Sequence, residues 1–230
     1  MATATSRLAR VPPFERGITL GDFLVPIRVG ERASSRQRHL LMIVAGTLLI
    51  ILGARISFYL PDNPLVPVTL QTASVLFGGA LLGFRRGLLA VGLYLALGAV
   101  GLPVFAWDSD SASYRAGLDT IVGLEGGRIV LGVTGGYLLG FVLAAGLVGR
   151  LAELGWDRNL AGAIAALALG NALIYVVGLP WLAVAASLSA DDTIRYGLLP
   201  FIPGDVLKIA LAAGLLPVGW WAVRHRGADR

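Results

Sequence analysis

Asp205 and Lys208 stand three residues apart inside an otherwise apolar stretch, IPGDVLKIALAAGLLPVGWW, residues 202–221. Lys208 is the sole lysine among 19 lysine and arginine residues. A spacing of three sets both side chains on one face of a helix. A charge in bilayer hydrocarbon costs about 3 kcal/mol on insertion scales, so an acid and a base kept there point to a ligand or a pathway. Pro203 and Gly204 mark the helix start. Asp205 therefore falls in the first turn, where its charge suits the helix dipole. The chemistry on offer is recognition: an ammonium for an anion, a carboxylate for N–H donors. A structural ion pair is the competing reading.

Other residues are spaced toward the same depth. Asn171 and Tyr175 lie four apart on the preceding apolar stretch. Thr134, Gly135, Gly136 and Tyr137 open another, and Gln71 opens a third between Thr69 and Thr72. Phe105 and Trp107 close a fourth, Trp181 follows Tyr175, and Arg55 sits near the end of the first. Arg128 offers a second cation beside Lys208. This set predicts a pocket on one side of a membrane for a small amphiphile bearing an acid and an amide- or urea-like end. Each residue also has a plainer reading. Glycines permit close helix packing, and an asparagine can bridge two helices. Tryptophans anchor at the interface, and Arg128 fits a loop charge. Arg55 is near enough to a helix end to snorkel outward.

The elements that hold these residues follow from composition. The chain has 230 residues, 56% hydrophobic and only 14% charged, with a mean hydropathy of +0.76. Soluble domains carry about 25% charged residues. This is a membrane protein. It has no cysteine, so it has no disulfide framework or thiolate site. Its two histidines, His39 and His225, flank the apolar region, which argues against histidine metal or triad chemistry within it. No GxxxxGK[ST] phosphate loop is present, so no ATP motor is expected in this chain.

Six spans are predicted, at 40–60, 68–84, 87–101, 129–148, 160–177 and 199–221. Arginines orient them, because cytoplasmic segments collect basic residues. Arg7, Arg10, Arg16, Arg28, Arg32, Arg36 and Arg38 precede the first span, Arg85 and Arg86 part the second from the third, and Arg150 and Arg158 part the fourth from the fifth. Arg224, Arg226 and Arg230 follow the sixth. The opposite loops are rich in aspartate. The expectation is an all-α membrane protein with six transmembrane helices and both termini cytoplasmic, in the cytoplasmic (inner) membrane. It divides into a tail (1–39), a membrane domain (40–223) and a short C-terminal tail (224–230). The tail, with its patch GITLGDFLVPIRV, is expected to lie on anionic lipid or to dock specifically. The net charge of +5 reflects this asymmetry and not nucleic-acid binding, because the arginines are scattered. A weak echo links the second and third spans to the fourth and fifth, each pair ending in Gly-Leu-Pro.

The motifs PVTLQT, LLGFRRG, YLALGAVGLPVFA, TGGYLLGF, GNALIYVVGLPW and LPFIPGDVLK occur in this order. Together they resemble the BioY family, the biotin-binding S components of energy-coupling factor (ECF) transporters. The resemblance implies an ECF S-component bundle that captures biotin from outside, with membrane lipid around it. It implies two partners: a transmembrane coupling protein and cytoplasmic ATPases. It also implies that Asp205, Lys208, Asn171, Tyr175 and the glycines of TGGY serve binding, with no cofactor besides the ligand. Val133 stands where the family pattern has proline. The family's small-residue coupling surface on the first span is poor here, since Gly46, Ile50 and Ala54 place a bulky residue in its middle, and docking through that span is less expected.

Three other functions are weighed. One is uptake of a different small carboxylate vitamin. A second is a membrane scaffold whose polar cluster only joins helices. The third, a membrane-embedded enzyme, lacks a metal-ligand cluster, an intramembrane histidine and a serine nucleophile motif.

Overall fold

The computed structural model describes residues 17–24, 32–109 and 111–226. Arg7, Arg10, Arg16, Arg28, Arg230 and most of the predicted tail lie outside them. The chain is mainly helical: α1 (Gly21–Leu24), α2 (Arg32–Arg55), α3 (Gln71–Leu82), α4 (Phe84–Ala99), α5 (Gly135–Glu153), α6 (Leu160–Ala185), α7 (Ala190–Gly197) and α8 (Ile202–Arg226). Among the described residues there are also three antiparallel hairpins. They pair β1 (Ser57–Leu60) with β2 (Asn63–Thr69), β3 (Trp107–Asp108) with β4 (Ser113–Tyr114), and β5 (Val122–Glu125) with β6 (Arg128–Leu131). All-α therefore understates the fold.

Four helices, Arg36–Arg55, Gly135–Glu153, Leu160–Ala185 and Ile202–His225, are long and apolar enough to cross a membrane. The chain is thus a multi-pass membrane protein. The other two predicted spans are realised differently. α3 has 12 residues, about 18 Å of helix at 1.5 Å per residue, and the extended β2 leads into it. Non-helical backbone at membrane depth is tolerated where it is buried in protein or lines a cavity. Gly83, at φ +80°, ends α3 and starts α4, so Arg85 and Arg86 fall in the first turn of α4.

Three predicted boundaries shift. The first helix stops at Arg55, because β1 and β2 form a hairpin where the span was drawn to residue 60. Ile129 belongs to β6, so the fourth helix starts at Gly135. The fifth continues through Pro180 to Ala185. The Gly-Leu-Pro echo therefore diverges: Gly101, at φ +101°, lies just past the end of α4, whereas Gly178-Leu179-Pro180 stays helical.

The bundle has a hairpin end and an arginine end. α5 is its axis, with Ala144, Ala145 and Val148 fully buried. Close backbone approach explains its glycines. A Cβ on Gly140 would meet Ile174 Cα of α6 at 3.0 Å, and one on Gly79 of α3 would meet the Ala145 carbonyl at 2.9 Å. On α2, Gly46, Ile50 and Ala54 face inward: Ile50 and Ala54 are buried, and Gly46 abuts Leu82 and Ala90. All three are therefore packed within the chain. The outward face of α2 is Leu41, Leu48 and Leu52.

At the arginine end the described part of the tail docks on the bundle. Leu20 is buried against Gly219, and Phe23 meets Trp220 edge to face at 5.7 Å. Asp22 pairs with Arg38 at 2.9 Å and with Arg86 at 2.9 Å.

Candidate ligand-binding site

Asp205 anchors the site from the first turn of α8, where its N–H donates to the Phe201 carbonyl at 2.8 Å. Its side chain is 5% exposed, and three groups donate to it. Lys208 Nζ donates to Oδ1 at 3.1 Å, Tyr175 Oη to Oδ2 at 2.5 Å and Asn171 Nδ2 to Oδ2 at 3.1 Å. The spacing of four on α6 and of three on α8 brings all four residues together. Lys208 Nζ also donates to Thr72 Oγ1 at 3.1 Å. A lysine ammonium has three N–H donors, so one remains for a ligand. Asn171 Oδ1 is buried and has no hydrogen-bond partner.

Asp205, Lys208 and Tyr175 open on a cavity of about 680 Å³, its open mouth included. Its apolar walls include Phe105, Leu138, Phe141 and Ile174, and its polar lining includes Gln71, Thr134 and Tyr137. Gln71 Nε2 donates to Tyr94 Oη at 2.6 Å, and Tyr137 Oη to the Gly197 carbonyl at 2.9 Å. Tyr137 and Tyr175 stand edge to face at 6.2 Å. Thr134 is the N-cap of α5, and its side chain makes no capping hydrogen bond.

Four predicted residues stand elsewhere. Asn171 touches the cavity only through Asp205. Gly135 and Gly136 form the α5–α6 contact: a Cβ on Gly135 would meet Trp181 at 2.9 Å, and one on Gly136 would overlap the same indole. Arg128 is exposed on β6, away from the cavity lining. The indole N–H of Trp181 donates to the Gly132 carbonyl at 2.9 Å, so Trp181 fixes the α5 start instead of merely marking an interface.

The second cation of the cavity is Arg115, which none of the sequence motifs singles out. The β3–β4 hairpin folds it back over Phe105: Phe105 N–H donates to the Arg115 carbonyl at 3.2 Å and Arg115 N–H to the Ala106 carbonyl at 3.1 Å. Its guanidinium pairs with Asp108 at 3.0 Å. Burial favours a raised Asp108 pKa, but Arg115 and Ser111 outweigh it and hold the carboxyl below its usual range. The signal was there to read: a turn-forming DSDSAS run between Trp107 and Tyr114 marks a hairpin. Arg55 does not line the cavity either. It lies 3.7 Å over the Tyr114 ring and donates to the Pro103 carbonyl at 2.5 Å, tying that hairpin to α2.

The BioY family model matches residues 30–225. The chain belongs to the BioY family. Among its relatives is the biotin transporter BioY of Thermotoga maritima, 36% identical over 180 residues, covering 77% of this chain and 92% of that one. The probable biotin transporter BioY of Pyrococcus horikoshii is 32% identical over 177 residues, covering 77% and 93%. The crystal structure of the S-component for biotin from an ECF-type ABC transporter superposes with a TM-score of 0.68 at 25% identity, covering 82% of this chain and 93% of that one. The fold is thus that of an ECF S component, and the BioY relatives are transporters.

Proposed function

We propose that this BioY-family chain binds biotin from outside the cytoplasmic membrane and delivers it inward as the substrate-specific component of an ECF-type transporter. The observation that carries the reading is the buried Asp205–Lys208–Tyr175–Asn171 cluster opening on an apolar cavity, in a chain similar to biotin transporters along most of its length. Biotin has a neutral ureido ring, an apolar bicycle and a valerate carboxylate. A ureido group both donates and accepts, which suits a carboxylate and an ammonium held side by side. Lys208 and Asp205 take that end. Phe105, Phe141 and Ile174 cover the bicycle, and Arg115, on the hairpin loop, takes the carboxylate. Gln71, Thr134 and Tyr137 complete the polar lining.

Six crossings follow if α2, β2 with α3, α4, α5, α6 and α8 each count as one. The arginine end is cytoplasmic with both termini there, and the hairpin end faces out. The proposed divisions are a tail at 1–39, the membrane domain at 40–223 and a tail at 224–230. A transmembrane coupling protein and two cytoplasmic ATPases supply the energy, as the solved S component's membership of an ECF-type transporter suggests. The chain itself performs no catalysis.

Titration calorimetry on the purified chain tests the reading. One biotin per chain is expected, with a structurally unrelated acid such as nicotinate unable to compete. A folded protein that ignores biotin overturns it.

A further inference from the structure

A second concave surface lies at the arginine end, between α2, α4 and the end of α5. His39, Arg85, Arg86 and Arg150 line it together with Ile43 and Leu89. Glu153 also borders it, but both carboxylate oxygens are engaged: Phe84 N–H donates to Oε1 at 2.9 Å, and Arg150 donates to Oε2 at 3.0 Å. With Arg86 paired to Asp22 and Arg150 to Glu153, the charge of Arg85 leaves the groove positive. Arg86 is committed to Asp22, whereas Arg85 is exposed and makes no ion pair or hydrogen bond among the described residues.

Both long walls repeat one pattern. His39 and Ile43 on α2, and Arg85 and Leu89 on α4, are each four residues apart. Such pairs lie one above the other on one helix face. Each basic residue is therefore followed, one turn deeper, by an aliphatic one, and Leu89 is 57% exposed. A positive rim over an apolar trough complements a molecule with an anionic head and a hydrocarbon tail. Basic pockets between transmembrane helices recognise anionic lipid headgroups in this way.

We propose that this groove is a binding site for one anionic phospholipid, its phosphate at Arg85 and Arg150 and its acyl chains along Ile43 and Leu89. The site depends on the helices crossing a bilayer, but not on their direction or on biotin. An acidic protein segment would use the rim and leave the trough unfilled, so lipid accounts for both halves of the groove.

The test is native mass spectrometry of the full chain in mixed micelles holding equal palmitoyl-oleoyl phosphatidylglycerol and phosphatidylcholine. The expected result is one retained phosphatidylglycerol, favoured at least fivefold. Arg85→Glu should bring the ratio to parity with biotin binding unchanged, and Leu89→Gln should weaken retention of both lipids. Equal retention by the unaltered chain overturns the proposal. So does a preference that survives Arg85→Glu. If that variant keeps its lipid but loses a co-expressed coupling protein, the groove belongs to the partner and the lipid assignment fails.

Discussion

The Asp22 carboxylate receives both arms of the Arg86 guanidinium, Nη1 to Oδ1 at 2.9 Å and Nη2 to Oδ2 at 3.0 Å. Such a fork is stronger than a single charged contact. It joins the N-terminal segment to α4, and Arg38 extends it to α2. Burial pushes the Asp22 carboxyl up, but the Arg86 and Thr19 hydrogen bonds prevail and hold it at about 2, against 3.8 unperturbed. A carboxyl lowered on folding stabilises above its unfolded pKa and loses that effect as pH falls through its folded one. Asp22→Asn should therefore cost about 1–2 kcal/mol at pH 7. The gap should shrink between about pH 4 and pH 2. Thermal melts of the two proteins across that range check it, with biotin affinity expected to stay the same.

Lys208→Ala and Asp205→Asn test the cluster as ligand machinery. A charge-assisted hydrogen bond in a partly desolvated pocket is worth roughly 1.5–3 kcal/mol. Each change should weaken biotin binding at least about tenfold. A purely structural pair predicts the reverse pattern, a lowered melting temperature with normal affinity. Measuring both quantities on both variants separates the two.

Arg115→Gln and Arg128→Gln form a contrasting pair, one lining the cavity and one exposed on β6. The first should weaken biotin at least about tenfold, and the second should leave it within experimental error. Biotin amide, which lacks the carboxylate charge, should bind the unaltered protein less well than biotin and bind Arg115→Gln about equally. Continued preference of Arg115→Gln for biotin would remove Arg115 from the site.

Asp157 is 1% exposed and accepts from Trp220 Nε1 at 2.7 Å, while its Oδ1 has no partner. Burial raises its carboxyl to about 6, from 3.8 unperturbed. A folded state that holds this proton more tightly gains stability as pH falls from about 6 to about 4. Asp157→Asn keeps an acceptor for Trp220 and removes the buried charge. It should raise stability by about 1–2 kcal/mol at pH 7.5 and by less at pH 5. A variant destabilised equally at both pH values would refute this.

Orientation is open to labelling, because the chain contains no cysteine. A cysteine at Ser111, exposed on the β3–β4 hairpin, should react with an impermeant maleimide added to intact cells. One at Leu154, 41% exposed at the arginine end, should react only after permeabilisation. The opposite pattern would invert the cavity and end the uptake proposal.

Legibility in the sequence was uneven for physical reasons. Asp205, Lys208, Asn171 and Tyr175 could be brought together from helical periodicity, since i, i+3 and i, i+4 positions share a face. The long apolar runs gave α2, α5, α6 and α8, though their ends moved where hairpins took over. Arg128 was expected as the second cation and Arg115 takes that place, because a loop arginine carries no periodicity and only the hairpin register decides which one meets the cavity. Arg85 and Arg86 are neighbours of identical type, yet one is exposed and the other is 13% exposed against Asp22. Only the docking of a distant segment distinguishes them.

The shortness of α3 bears on how the chain enters the bilayer. Twelve residues of helix cover about 18 Å of a hydrocarbon layer about 30 Å thick. Insertion machinery has too little apolar length to accept α3 alone, and α4 follows after the single residue Gly83 with two arginines in its first turn. The pair must therefore be admitted as one hairpin. The extended peptide of β2, which lines the cavity through Val66 and Thr69, faces Lys208 of the last helix across it. Until α8 leaves the ribosome, that backbone has no wall opposite it. A nascent chain arrested before Ile202 should be a substrate for membrane quality control, and completion of α8 its release from it.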